Sequence, residues 1–220
     1  MWHYKIMVLF LLLLGICTFD YSYAKERSYP LKNKIIYIDP GHGGSDPGAM
    51  YKEVEEKNIN LEISKQLRTE LQKLGATVYL TREDDYDLSV PYTVNHKRSD
   101  LSRRSNIVNK SECHMFLSIH LNADPANSMK GAQVFYNSRN KENVKIAKIF
   151  QQLFREQLYS KRDYKRANDL YLLSRIETPA VLLELGFLSN ANERYLLQTK
   201  DYQQKLVKVM VEGIQQYLQT

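Results

Sequence analysis

Hydrophobic positions along this chain alternate between two textures. Short apolar runs bounded by polar or turn residues recur at Lys34–Asp39, Thr77–Thr81, Met115–His120, Ala132–Tyr136, Leu170–Leu173 and Ala180–Glu184, and they predict strands. Between them, apolar residues return at helical spacing over Glu56–Leu74, which stops at Gly75, over Asp100–Val108, over Asn143–Leu158 and in a last segment after Asp201. Strand and helix taking turns predict an α/β fold: a single domain with a mostly parallel twisted sheet of about six strands and helices on both faces. Three strands are nearly continuous in apolar residues, as a sheet covered on both faces requires.

Each of those three strands runs into a chemically capable residue. Ile35–Ile38 leads through Asp39-Pro40-Gly41 to His42, Phe116–Ile119 ends on His120, and Val181–Leu183 ends on Glu184. Ligands of open α/β sheets bind beyond the carboxyl ends of the strands, so two imidazoles and a carboxylate are expected to converge there. Two histidines plus one carboxylate, with a position left for water, is the donor set of a catalytic zinc site. The third ligand is sought among Glu53, Glu55 and Glu56. The apolar face Ile59, Ile63, Leu67, Leu71 and Leu74 sets the phase of the helix; at about 100° per residue Glu56 lies on its centre line, Glu53 about 60° off and Glu55 about 100° off. Glu56 therefore points inward, from a helix N-terminus that favours negative charge. A carboxylate closing the apolar run before Glu184 needs a partner or a purpose, and proton transfer to and from a metal-activated water supplies one. His114 lies about 20 Å from His120 along its strand and cannot share an ion with it. His96, in a polar segment, is expected at the surface.

The chain has 220 residues, enough for one domain with a sizeable core. An apolar block, Ile6–Phe19, follows Lys5 and precedes Ser22-Tyr23-Ala24, so residues 1–24 read as a secretory signal or an uncleaved anchor, 25–33 as a lead-in and 34–220 as the catalytic domain. Ile16 is too bulky to support lipoprotein processing at Cys17. With the signal removed, Cys113 remains without a partner for a disulfide and reads as a small buried filler. A net charge of +6 favours anionic partners, and export excludes nucleic acid. The basic segment Lys161–Arg166 reads as a solvated turn. The loop from Gly41 to Gly48 lacks a phosphate-binding Gly-Lys-Ser/Thr and does not satisfy Gly-x-Gly-x-x-Gly, which disfavours nucleotides. No repeat or Pro/Gly/Ser linker marks an added wall-binding module.

Five stretches together resemble one family: Asp39-Pro40-Gly41-His42-Gly43-Gly44-Ser45-Asp46-Pro47-Gly48-Ala49, Glu56-Lys57 with Asn60-Leu61, Thr81-Arg82, Ser118-Ile119-His120-Leu121-Asn122-Ala123, and Leu183-Glu184-Leu185-Gly186-Phe187-Leu188-Ser189-Asn190. They are similar to the zinc-dependent N-acetylmuramoyl-L-alanine amidases of type 3, from about Leu31 to the C-terminus. The resemblance implies one Zn2+ held by His42, Glu56 and His120, Glu184 as the catalytic carboxylate, and peptidoglycan as substrate, cut between the muramic acid lactyl group and L-alanine. Within the family the chain is most similar to the germination-specific spore-cortex amidases, whose action permits muramic lactam formation. That resemblance implies export to the cell wall or the spore intermembrane space, membrane contact through the N-terminal segment alone, and a regulatory or targeting protein partner. Departures are Val108-Asn109 where the family often has Ala-Asn, and Met50-Tyr51-Lys52 in place of a usual glycine. There is no room between His120 and Glu184 for an occluding helical insert. The alternatives are a silent peptidoglycan-binding homologue and a zinc hydrolase of another wall bond.

Overall fold

The computed structural model describes residues 29–219. The expected signal, 1–24, and residues 25–28 of the lead-in lie outside them. Among the described residues no helix is long and apolar enough to cross a membrane.

In chain order the elements are β1 (Ile35–Pro40), β2 (Met50–Tyr51), β3 (Val54–Glu55), α1 (Glu56–Lys73), β4 (Thr77–Leu80), α2 (His96–Asn109), β5 (Met115–Asn122), β6 (Gln133–Tyr136), α3 (Lys141–Leu158), β7 (Lys165–Arg166), α4 (Tyr171–Arg175), β8 (Ala180–Phe187), α5 (Ala191–Leu197) and α6 (Lys200–Leu218). Six strands form one sheet in the order β4-β1-β5-β8-β6-β7. The first four are parallel; β6 runs antiparallel to β8, and β7 is parallel to β6. This is the expected mostly parallel α/β sheet.

Alternation along the strands sends side chains to two cores. Ile36, Ile38, Leu117, Ile119, Val181 and Leu183 pack under α1, α3 and α6, while Phe116, Ala180 and Leu182 pack with Val108 of α2 and with Leu172, Leu173 and Ile176 around α4. Cys113 sits buried in this second cluster, as its apolar surroundings suggested.

Three expectations are corrected. Leu170–Leu173 is not a strand: the apolar run feeds the short helix α4, which turns Leu172 and Leu173 into the second core. Four apolar residues fit a buried helical turn as well as a strand, and periodicity cannot separate the two. The sixth strand is instead Lys165–Arg166, inside the basic segment read as a turn; it is two exposed residues long and carries no hydrophobic signal. The helix expected from Asp100 starts at His96, because the Asn95 side chain accepts a hydrogen bond from the Arg98 amide and caps it there. His96 is exposed.

Gly213, in the middle of α6, lets that helix approach α3. A Cβ there would stand 2.9–3.1 Å from the buried Phe150 ring. Alanine usually favours a helix over glycine by about 1 kcal/mol; here overpacking costs about 1–3 kcal/mol and outweighs it. Gly213→Ala is expected to lower stability by about 1 kcal/mol net in urea unfolding, and a gain would contradict this packing.

Candidate metal centre and hydrolytic site

The centre is built where β1, β5, β8 and α1 end or begin. Pairing of β1 with β5 sets Asp39 against Ser118, and pairing of β5 with β8 sets His120 directly against Glu184. Opposed residues on neighbouring strands face the same way, so strand register alone brings His120 and Glu184 together.

Glu56 arrives from the other side, on the first turn of α1. Carbonyls of the preceding loop hold that turn: the Glu56 amide donates to Ala49 O at 3.0 Å and the Lys57 amide to Pro47 O at 3.1 Å. The Glu56 carboxylate is saturated. Oε1 lies 3.0 Å from His120 Nδ1 and accepts from the Leu121 amide at 2.9 Å and from Asn60 Nδ2 at 3.1 Å; Oε2 lies 3.2 Å from His42 Nε2 and accepts from the Ala49 amide at 2.8 Å. Burial alone would raise its pKa, but the two imidazoles outweigh burial and hold it well below the usual carboxylate range.

His42 sits in a left-handed backbone conformation, φ 64°, which costs an L-residue on the order of 1–2 kcal/mol. Two buried arginines hold it there. Arg82 donates to the carbonyls of Pro40, Gly41 and Lys57, and Arg104 donates to the carbonyls of Pro40 and His42. Arg104 is itself fixed between Asp39, at 2.7 Å, and Asp100, at 2.8 Å. Thr81 and Ser118 hydroxyls donate to the same Asp39 carboxylate. Burial would raise the Asp39 pKa; Arg104 and the two hydroxyls reverse this and lower it. The second ring nitrogen of His42, Nδ1, lies 2.9 Å from Asp46 Oδ2, so a carboxylate orients this imidazole from behind.

His42, Glu56 and His120 can together hold a metal ion: one donor atom from each lies within 4.8 Å of the others. Atoms about 2.0–2.1 Å from a common tetrahedral centre stand roughly 3.3 Å apart, close to the carboxylate–imidazole separations observed. Of the three glutamates weighed for this position, the structure brings only Glu56 between the histidines. His114 is at the other end of the sheet, where its Nδ1 accepts from the Ile35 amide.

Glu184 retains partial exposure, yet its Oε2 is shielded from solvent and has no hydrogen-bond partner among the described residues. Burial pushes its carboxyl up to about 7, with the Glu56 charge adding to the rise and His120 and His42 opposing it. It borders a cavity of about 240 Å³ shared with His42, His120, Asp46, Lys97 and Tyr171. A larger groove of about 480 Å³ between α1 and α6 has none of these groups. Sequence reasoning did not single out Asp46 or Arg104. The Asp100/Arg104 spacing of i, i+4 on α2 was the available signal for the arginine.

A carboxylate-bridged imidazole pair and a second carboxylate with an unsatisfied oxygen among the described residues, at the carboxyl edge of a doubly covered sheet, define the class: an α/β protein whose site can take a metal ion. Residues 36–216 match the family described as N-acetylmuramoyl-L-alanine amidase, and the chain belongs to that family. It is 40% identical over 215 residues to the germination-specific N-acetylmuramoyl-L-alanine amidase of Bacillus subtilis, covering 94% of this chain and 91% of that protein. Among solved structures, the CwlD amidase of Clostridioides difficile, determined in complex with the GerS lipoprotein, aligns with a TM-score of 0.81 at 39% identity over 84% of this chain and 98% of that one. The catalytic domain of CwlV from Bacillus (Paenibacillus) polymyxa aligns with a TM-score of 0.74 at 28% identity, over 84% of this chain and 98% of that one.

Arg104→Leu strands the Asp39 carboxylate in the core and is expected to cost about 3–5 kcal/mol in urea unfolding. Because the Asp39 pKa is lowered in the folded state, the pair stabilises above the unfolded value near 3.9, and this contribution is lost as pH falls through the folded value. The double variant Asp39→Asn/Arg104→Leu should be the milder lesion at neutral pH. A double variant as unstable as Arg104→Leu would refute the charge explanation.

Proposed function

We propose that this chain is a zinc-dependent N-acetylmuramoyl-L-alanine amidase that hydrolyses the amide between the muramic acid lactyl group and L-alanine, acting on the spore cortex during muramic lactam formation. The reading rests above all on the unsatisfied Glu184 Oε2 beside imidazoles already aligned on Glu56. The cortex assignment is supported by the similarity to the germination-specific relative.

His42, Glu56 and His120 hold the zinc ion, a donor set of two neutral nitrogens and one anionic oxygen suited to it. Bound there, zinc supplies Lewis acidity to the amide carbonyl and lowers the pKa of water. Asp46 keeps the His42 ring in one tautomer and orientation. Glu184 takes the proton of the attacking water and delivers it to the leaving nitrogen, so that lactyl carboxylate and alanine amine separate. Asn60 and the Leu121 and Ala49 amides hold Glu56 in place and leave the adjoining cavity to the substrate. Residues 1–24 direct export, 34–220 form the catalytic domain, and a protein partner assists targeting, as the complex formed by the C. difficile relative suggests.

The test is digestion of purified cortex and vegetative wall, with mass spectrometry of the products and measurement of zinc content. Peptide-free muramic acid together with released peptides bearing a free L-alanine amine is the expected outcome. Metal-free protein that releases nothing would indicate a binding homologue, and cleavage within the stem peptide would indicate a different hydrolase.

Substitutions at four positions probe the roles. Glu184→Ala should retain zinc and lose about 10²–10⁴-fold in turnover, whereas His42→Ala or His120→Ala should release the metal. Full activity in Glu184→Ala would remove it from the mechanism. A Cβ at Gly41 would fall within the His120 ring, so Gly41→Ala is expected to weaken zinc binding about 10–100-fold, as loss of a ligand's support does; unchanged affinity in a zinc titration would refute the close fit.

A further inference from the structure

One wall of the 240 Å³ cavity differs in character from the metal side. It is formed by Lys97 and Leu101 of α2 and by Leu170, Tyr171 and Leu173 at α4. The Tyr171 hydroxyl is fixed 2.8 Å from Ser102 Oγ. Two guanidinium groups are gathered on its ring: Arg175 at 4.6 Å from the centroid and Arg98 at 5.2 Å. Among the described residues neither has a carboxylate within 4.0 Å, whereas Arg68 is paired with Glu83 and Arg104 with both Asp39 and Asp100. Both Arg98 and Arg175 are exposed. Cation–π contact with a fixed ring holds them in place without neutralising them. The result is an ordered, uncompensated pair of planar donors at the lip of the site, with Lys97 beside it.

We infer that Tyr171, Arg98 and Arg175 form a subsite for the carboxylates of the acidic stem peptide. This deepens the amidase reading and rests on it. Of the two halves of such a substrate, N-acetylated sugars are neutral and the peptide is anionic, so a cationic wall discriminates in favour of the peptide. Guanidinium forks match carboxylate geometry and bind it through paired hydrogen bonds. Leu101, only partly buried and lining the same cavity as Glu184, gives apolar surface to the small first residue of the peptide.

The test uses the zinc-loaded full chain and two soluble muramyl peptides that differ only in whether the second residue carries a free carboxylate or a carboxamide. The wild type is expected to favour the carboxylate by about tenfold in kcat/KM, a difference of one charge-assisted contact. In Arg98→Ala/Arg175→Ala that preference should fall toward unity. A charge-matched control at exposed sites elsewhere, Lys148→Ala/Lys208→Ala, should keep it. Binding of the released acidic peptide, measured by calorimetry, gives a readout independent of turnover and should weaken in the arginine variant alone. No carboxylate preference in the wild type, or equal loss in the lysine control, overturns the subsite. Acidic-peptide binding that depends on the arginines, without any cleavage, would instead overturn the amidase reading and leave the subsite standing.

Discussion

The Asp39–Arg104 ion pair is the constraint from which the rest of the site follows. Both side chains are about 1% exposed, and burying two charges is costly unless every donor and acceptor is used. Here they are used on the backbone. Asp39, next to last in β1, gathers Thr81, Ser118 and Arg104, tying the end of β4, the middle of β5 and α2 to one carboxylate. Arg104 spends its remaining donors on the carbonyls of Pro40 and His42, and Arg82 takes those of Pro40 and Gly41. A polypeptide leaving a buried strand loses its ladder partners, and the arginines supply donors to these carbonyls, with Asn60 adding a second to Gly41. The arginines satisfy them in a conformation that holds His42 at a positive φ.

That arrangement explains what could be read from the sequence and what could not. His120 and Glu184 were legible because strand placement needs only local apolar runs, and parallel strands running into polar residues bring those residues to the same edge of the sheet; that the two stand directly opposite each other is set by the β5–β8 register. Glu56 was legible by helical phase, since one apolar stripe decides which of three neighbouring carboxylates faces inward. His42 was legible as a residue and not as a geometry: its position depends on Arg82 and Arg104, which come from elsewhere in the chain and meet it only in three dimensions. The same holds for Asp46, whose role is visible only once the loop from Gly43 to Gly48 has folded back on the imidazole.

The misread elements fail for a related reason. Leu170–Leu173 carries an apolar signal too short to declare its period, and β7 carries none, because two exposed basic residues at a sheet edge bury nothing. Helix α4 matters to the site all the same. By turning Leu172 and Leu173 inward it sets Tyr171 against the cavity and Arg175 beside the ring, an arrangement a strand with period two would not provide.

Glu56 and Glu184 show how placement alone gives one chemical group two opposite electrostatic environments. Glu56 stands at a helix N-terminus, accepts two backbone amides and a side-chain amide, and faces two imidazoles, so its charge is stabilised in every direction. Glu184 lies within β8 after four apolar, buried residues, and one of its oxygens accepts no hydrogen bond among the described residues. The first environment favours a permanent anion suited to holding a cation. The second penalises charge and keeps a carboxyl group that gains and loses a proton at little cost. Exchanging the two roles would require moving the hydrogen-bond donors, not the glutamates. The contrast is therefore a property of β5, β8 and the start of α1, and the proposed chemistry depends on keeping their register.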